Sequence, residues 1–296
     1  MRIGIDLGGT KTDIIVLDDA GQVRYRKRCA SGQHYAATLA TLVGLIHEVD
    51  AHFTQAFTVG IGIPGTVSRR HGTIKNANST WLIGQSLDAD LHAAIGRPVR
   101  LANDANCFAL SEACDGAGQG FELVFGVILG TGCGAGLVIN GKVHSGINGV
   151  AGEWGHNPLP WMNSHEFQSR ACYCGRHDCI ETYISGTGLS EDFYQATQQR
   201  LSGPEIISLM QQQDSDAQAA FHRYCDRLCR ALAHVVNLVD PDIIVLGGGM
   251  SDIAEIYPYV NRHLAAYIFG KECETKVVPN QHGNASGVRG AAWLWP

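Results

Sequence analysis

At 296 residues the chain is long enough for two packed lobes, because a single hydrophobic core stops growing at about 250 to 300 residues. Its 22 Lys and Arg against 28 Asp and Glu leave a net charge of −6, which offers no electrostatic footprint for nucleic acid, and no apolar run approaches the roughly 18 residues of a membrane span. Met1 leads into a strand-like run rather than a basic and apolar leader, so a cytoplasmic location is expected; the 10 cysteines then read as reduced thiols with a metal site, not as a disulfide scaffold.

The opening of the chain reads as three short strands at 3–7, 12–17 and 23–29, with a turn at 18–21. Connections this short require antiparallel pairing. Residues 34–52 carry helical spacing, with Leu39, Leu42, Val43 and Ile46 on one face. A buried strand at 57–63 stops at Pro64-Gly65, a helix over 87–95 is closed by Gly96, and a strand at 98–102 leads into a helix at 105–114. The glycine-rich stretch 116–120 is the expected lobe boundary. Beyond it, strands at 121–129 and 136–139 flank a glycine run and repeat the layout of the N terminus, which predicts an internal duplication. Residues 140–180 are loop-rich, and helical spacing dominates from 186 to 239. A buried strand at 243–246, a helix at about 253–268, a strand at 276–279 and a short helix at 287–293 complete the chain.

Three glycine loops stand out. After the first strand, Asp6 opens a run in which the backbone N–H groups of Gly8 and Gly9 can turn outward to cradle phosphate oxygens, with the Thr10 hydroxyl and the Lys11 ammonium beside them. It is not a Walker loop, since the spacer is short and no helix follows; an ordinary tight hairpin explains it equally well. Gly130, Thr131, Gly132, Cys133 and Gly134 repeat the arrangement in the second half, again without dinucleotide-fold spacing, because Ala135 stands where a third glycine is needed. Two such hairpins in matching halves suggest a nucleotide held between lobes. Gly247, Gly248 and Gly249 end a buried strand before a helix, where small residues let a base or ribose lie against backbone; alone, the run would be a packing turn.

Asn103-Asp104-Ala105-Asn106 joins a strand to a helix. An Asp there is most simply an N-cap, worth about 1 kcal/mol. The alternative is that Asp104 accepts the proton of an attacking hydroxyl. Phosphoryl transfer has a loose transition state, so an ordinary carboxylate suffices for that task. Asp6 is the natural partner for Mg2+, a hard cation that prefers oxygen ligands, and its plain alternative is a cap on the first hairpin. Further on, Glu153-Trp154-Gly155-His156 precedes Cys172, Cys174, Cys179 and Glu181. Three thiols within eight residues and an imidazole supply the four ligands of a closed zinc site, against the alternative of buried free cysteines. His177 competes with His156 for the fourth position, and Cys225 and Cys229, one helical turn apart, read as core.

Taken together, Asp6-Leu-Gly-Gly-Thr-Lys, Asn103-Asp104-Ala-Asn, Gly130-Thr-Gly, Glu153-x-x-His156, the 172–181 cluster and Gly247-Gly-Gly resemble the ROK family of bacterial sugar kinases, six motifs in the family's order. The resemblance implies an α/β, two-lobed, actin-like (ribonuclease H-like) ATPase fold with an inserted zinc-binding loop. The small lobe would be 1–118, with the C-terminal helix at about 284–296 packing back on it, and the large lobe 119–283, carrying the zinc loop 153–181. By motif position Asp104 is the catalytic base, and Asn103, Asp104, Glu153, His156 and Glu181 contact the sugar. ATP and Mg2+ fall to Asp6, Gly8, Gly9, Thr10, Lys11, Thr131, Gly132, Gly134, Gly247, Gly248 and Gly249, and structural Zn2+ to His156, Cys172, Cys174 and Cys179. His156 would place one ring nitrogen on zinc and the other on the sugar, which is the reason to prefer it over His177.

Within the family, the stretch 76–82, the stretch 157–161 and the tail 293–296 resemble the fructokinase or mannokinase branch, so conversion of D-fructose to fructose 6-phosphate is the expected reaction. The helix Asn106-Cys-Phe-Ala-Leu-Ser-Glu112 and His282-Gly283 are shared with the N-acetylglucosamine kinase branch, the alternative together with glucokinase. Repressor relatives carry a helix-turn-helix ahead of the kinase-like part, and here the first glycine loop starts at residue 6. The reading from another class is a non-catalytic sugar sensor. The expected partners are a hexose and ATP, with no nucleic acid, no membrane, and a homodimer as the assembly.

Overall fold

A computed structural model describes all of residues 1–296. In chain order the elements are β1 (Arg2–Leu7), β2 (Lys11–Leu17), β3 (Val23–Ala30), α1 (Tyr35–Phe53), β4 (Thr58–Ile63), β5 (Thr66–Val67), β6 (Ile74–Lys75), α2 (Leu87–Ile95), β7 (Val99–Asn103) and α3 (Asp104–Asp115). They continue with β8 (Leu123–Leu129), β9 (Cys133–Ile139), β10 (Lys142–Val143), α4 (Glu181–Ile184), α5 (Gly186–Thr197), α6 (Gly203–Gln211), α7 (Ser215–Val239), β11 (Ile243–Gly247), α8 (Ile256–His263), β12 (Lys276–Pro279) and α9 (Ser286–Ala292). No helix is long and apolar enough to cross a membrane.

The first sheet has the order β3-β2-β1-β4-β7 and the second the order β10-β9-β8-β11-β12. Each is a three-strand meander followed by two parallel strands, so the expected duplication is present as one plan used twice. In the first sheet β1 pairs antiparallel with β2, setting Asp6 opposite Asp13, and parallel with β4, setting Asp6 opposite Gly62. In the second, β11 runs parallel to β8 and to β12. The central parallel strands β4 and β11 are rich in Ile and Val because both of their faces are covered.

The chain divides into two compact units, Met1–Gly120 with Gly136–Ala151 and Gln281–Pro296 in one, and Phe121–Ala135 with Gly152–Asn280 in the other. In the first, Leu42, Ile46 and Val49 of α1 pack fully buried against Ile3, Ile5, Ile61 and Ile63 of the sheet. On the other face, Val288 and Ala292 of α9 pack on Ile15 and Leu17. Helix α9 also lies so close to α3 that a Cβ at Gly290 would fall 1.6 Å from the Cys107 carbonyl, so only glycine fits. The C-terminal return is tied down by α3. Buried Glu112 accepts from Gln281 N–H at 3.0 Å and Ser286 Oγ at 2.8 Å, and Asp115 accepts from Trp293 Nε1 at 3.1 Å and from Arg289.

Some local structure was not legible from spacing. The helical region 186–239 is three helices, broken where Ser202 and Glu205 close a capping box that spans Pro204, and where Asp214 accepts from Asp216 and Ala217 N–H at 3.1 and 2.9 Å. The helix expected to 268 ends as α8 at His263 and continues in short 3-10 turns. The two-strand ribbon β5–β6 carries too few residues for a period to show.

Candidate functional site

In the first unit the β1–β2 turn is a tight hairpin in which Gly8 N–H donates to the Lys11 carbonyl at 3.0 Å, with Gly9, Thr10 and Lys11 exposed. Ser31 braces it: its Oγ donates to the Gly8 carbonyl at 2.7 Å and its N–H to the Thr10 carbonyl at 3.0 Å. Asp6 sits half-buried beside it. Burial, and then the Asp104 and Asp13 carboxylates, push its carboxyl up to about 6, with Arg28 opposing. Gly287 borders that carboxyl closely, since a Cβ there would lie 3.3 Å from Oδ2. Carboxylate oxygens crowded by like charge fit a hard divalent cation.

The N-cap of α3 is Asn103. Its Oδ1 accepts Ala105 N–H at 2.9 Å while its Nδ2 donates to the Gly65 carbonyl at 3.3 Å. The capping task that spacing allowed for Asp104 is therefore carried by its neighbour. Asp104 itself is exposed at the first helical position, its Oδ1 accepting the same Ala105 N–H at 2.8 Å.

In the second unit the β8–β9 turn closes with Gly130 N–H donating to the Gly132 carbonyl at 3.0 Å, and Gly134 lies within β9. Gly130 and Thr131 line a cleft of about 800 Å³. Of the Gly247–Gly249 run, Gly249 lines the same cleft, whereas Gly248, at φ +80°, presses against backbone: a Cβ there would lie 2.5 Å from the Leu129 carbonyl. The remaining wall comes from residues that sequence reasoning missed, among them Gly186, Thr187, Leu201, Pro204, Ile207 and Met250. The signal for them was present in the small-residue runs Ser185-Gly186-Thr187-Gly188 and Ser202-Gly203-Pro204 at two helix starts.

The four expected zinc ligands converge. One donor atom from each of His156, Cys172, Cys174 and Cys179 lies within 4.8 Å of the others, with Cys172 Sγ 3.6 Å from His156 Nδ1 and Cys174 Sγ 3.6 Å from Cys179 Sγ. A tetrahedral ion with bonds of about 2.3 Å to sulfur spaces its ligand atoms roughly 3.5 to 3.8 Å apart, so the set fits zinc. His156 stands on a 3-10 turn, Glu153–His156, held by Trp154, whose buried ring packs edge-on against Phe125 at 5.6 Å. Its second nitrogen, Nε2, is 3.0 Å from the Tyr173 hydroxyl, and Glu153 is exposed. Glu181, at the start of α4, turns its Oε2 to the Cys133 N–H at 2.8 Å. Asp178 stitches the loop by accepting N–H bonds from Ser169 at 3.1 Å and Arg170 at 2.9 Å and the Tyr183 hydroxyl at 3.0 Å. His177 is not among the converging ligands.

Behind the loop lies a buried ionic network that the helical spacing of 186–239 did not reveal. Glu166, 3% exposed, accepts from Arg227 Nε at 2.8 Å and from Arg230 Nη1 and Nη2 at 2.9 and 2.8 Å. Asp192 is held by Arg170 at 3.3 Å, Arg223 at 2.7 Å and Arg227. Burial pushes the Glu166 carboxyl up, but hydrogen bonds from Arg230, Arg227 and the Asn163 amide outweigh it and hold it at about 2, against an ordinary 4.5. A depressed carboxyl contributes stability that is complete above the unfolded value and lost as pH falls from 4.5 through 2. Glu166→Gln should therefore cost about 3 to 5 kcal/mol at neutral pH, because it strands buried arginines, and should flatten the loss of stability in that acid window. Denaturant titrations at several pH values check this; an unchanged acid slope would contradict it.

The plan repeated in the two sheets is the actin-like ATPase fold in its sugar-kinase form. The model of the ROK family matches residues 2–296, and the chain belongs to that family. It is 42% identical over 299 residues, 99% of each chain, to the N-acetyl-D-glucosamine kinase of Escherichia coli O139:H28 (strain E24377A / ETEC). Among solved structures, the ROK hexokinase from Thermus thermophilus matches with a TM-score of 0.87 at 29% identity, covering 99% of this chain and 97% of that one. A ROK family glucokinase from Streptomyces griseus, in complex with glucose and AMPPNP, matches with a TM-score of 0.78 at 27% identity over 99% and 98%.

These relatives overturn the expected fructokinase or mannokinase branch, because full-length relatives at 41 to 42% identity are named N-acetyl-D-glucosamine kinases. Trp295 Nε1 donates to the Val59 carbonyl at 2.7 Å, Trp161 stacks on Tyr267 at 5.6 Å, and Trp81 Nε1 donates to Thr38 Oγ1 at 3.1 Å. The tryptophans of the segments that suggested fructose therefore contact other parts of this chain.

Proposed function

We propose that the protein transfers the terminal phosphoryl group of ATP to a hydroxyl of N-acetyl-D-glucosamine. The observation that carries this reading is the 42% identity spread over 99% of the chain to a relative of that name. The geometry supports the chemistry. In this reading Asp104, exposed at the start of α3, serves as the base. As the sugar oxygen bonds to the terminal phosphorus, the bond to the bridging oxygen breaks, ADP leaves with that electron pair, and the proton passes to Asp104. Asn103, Glu153, His156 and Glu181 hold sugar hydroxyls in this reading, with His156 Nε2 exchanging Tyr173 for the substrate.

The apolar cleft lined by Leu201, Ile207 and Met250 takes the adenine, and the glycine turns at 8–11 and 130–134 take the phosphates. Asp6 would hold Mg2+, which neutralises phosphate charge when bound; the Asp6 carboxyl, pushed up to about 6, loses that capacity as pH falls below 6. Zinc on His156, Cys172, Cys174 and Cys179 would act structurally. A coupled assay of sugar-dependent ADP formation tests the proposal: catalytic efficiency on N-acetyl-D-glucosamine should exceed that on glucose, mannose and fructose at least about tenfold. Fructose as the best substrate would refute the specificity. Sugar binding without ADP formation from any of the four would make the protein a sensor instead.

A further inference from the structure

Glu181 sits where two features meet that look independent in sequence. It follows Cys179 by two residues, and its Oε2 accepts the Cys133 N–H at 2.8 Å. Gly132 leaves the space for that carboxylate, since a Cβ there would lie 2.6 Å from Oε2. Just past α4, Gly186 N–H donates to the Gly130 carbonyl at 2.8 Å and Thr187 Oγ1 donates to the Thr131 carbonyl at 2.7 Å. Thr187 is itself held by Ser185, whose Oγ lies 2.9 Å from its hydroxyl and also accepts Gly188 N–H at 3.0 Å to cap α5.

Bonds from 181–187 thus grip the carbonyls of Gly130 and Thr131 and the amide of Cys133. In a trans peptide the N–H points opposite to the C=O. With the two carbonyls drawn toward the start of α5, the N–H groups of Thr131 and Gly132 are turned the other way, together, as an anion-binding turn requires. We infer that Glu181 and Thr187 are positioning residues for the nucleotide, which set the peptide planes of the 130–133 turn so that its N–H groups meet phosphate oxygens. This rests on the nucleotide reading above and gives Glu181 a task separate from any contact with sugar.

Titration calorimetry with ADP, on the full-length protein, tests it without turnover. Glu181→Ala should weaken ADP binding about tenfold, the loss expected for one charge-assisted hydrogen bond. Glu181→Gln, whose amide oxygen can still accept the Cys133 N–H, should restore affinity to within about twofold of native while the KM for the sugar rises. Thr187→Val, which leaves the thiol cluster and Glu181 intact, should raise the KM for ATP several-fold with the KM for the sugar unchanged, and keeps the inference testable if Glu181→Ala does not fold. Native-like ADP affinity in Thr187→Val and in a folded Glu181→Ala, or a Glu181→Gln as weak as Glu181→Ala, overturns the inference alone. Failure of the native protein to bind ADP overturns the nucleotide reading together with it.

Discussion

Asp104→Asn should lower turnover by about 10² to 10⁴-fold, the span that a positioned general base contributes, while substrate affinities stay within about twofold of native. The substitution is close to isosteric. Its amide oxygen can still accept the Ala105 N–H, and Asn103 continues to cap α3, so the helix loses no cap worth about 1 kcal/mol. What disappears is the ability to take a proton. A second consequence follows from charge: after burial itself, the Asp104 carboxylate does most to raise the Asp6 carboxyl to about 6. Neutralising it should move the Asp6 titration to lower pH, which carbonyl-detected NMR of the ligand-free protein can follow. Near-native turnover in a folded Asp104→Asn would remove this residue from the role of base, and an unmoved Asp6 titration would remove the coupling.

Cys179→Ser should release the metal and with it most of the activity. A structural zinc site contributes on the order of 10 kcal/mol to ordering its loop, and substituting one thiolate ligand forfeits much of that. The consequences should be local, because Glu166, Arg227 and Arg230 anchor the base of the loop to α7 without help from the metal. Hydrogen exchange should therefore accelerate across 168–181 and stay slow in α7, elemental analysis should fall from one zinc per chain towards none, and turnover should drop below about one hundredth of native. Cys225→Ser is the control, since Cys225 is fully buried in α7 and outside the ligand set. A fully active native protein that contains no zinc would end the zinc reading.

All strands of the two five-stranded sheets except β10, which fell in the stretch read as loop, the glycine turns between them and the thiol cluster could be read in the chain before any coordinates, because each depends on residues close in sequence. Alternating Ile and Val mark a strand wherever it sits. Three cysteines in eight residues need only one imidazole from elsewhere. Even the choice of His156 over His177 came from a family pattern, and the convergence of donor atoms agrees with it. The failures were of another kind. The segments 76–82, 157–161 and 293–296 pointed to fructose by resemblance of short stretches alone, and identity of 41 to 42% over the whole chain to N-acetyl-D-glucosamine kinases outweighs them.

Local pattern by itself determined where the chain extends, turns and gathers its sulfur, since neighbours along the backbone set those preferences. Only the folded molecule decided that Asn103 takes the cap and leaves Asp104 exposed, that Gly249 rather than Gly248 faces the cleft, and that Glu166 meets Arg227 and Arg230 across 61 and 64 residues. Those outcomes depend on burial and on hydrogen-bond partners brought together from far along the chain, and no local spacing encodes which distant group will satisfy a buried charge.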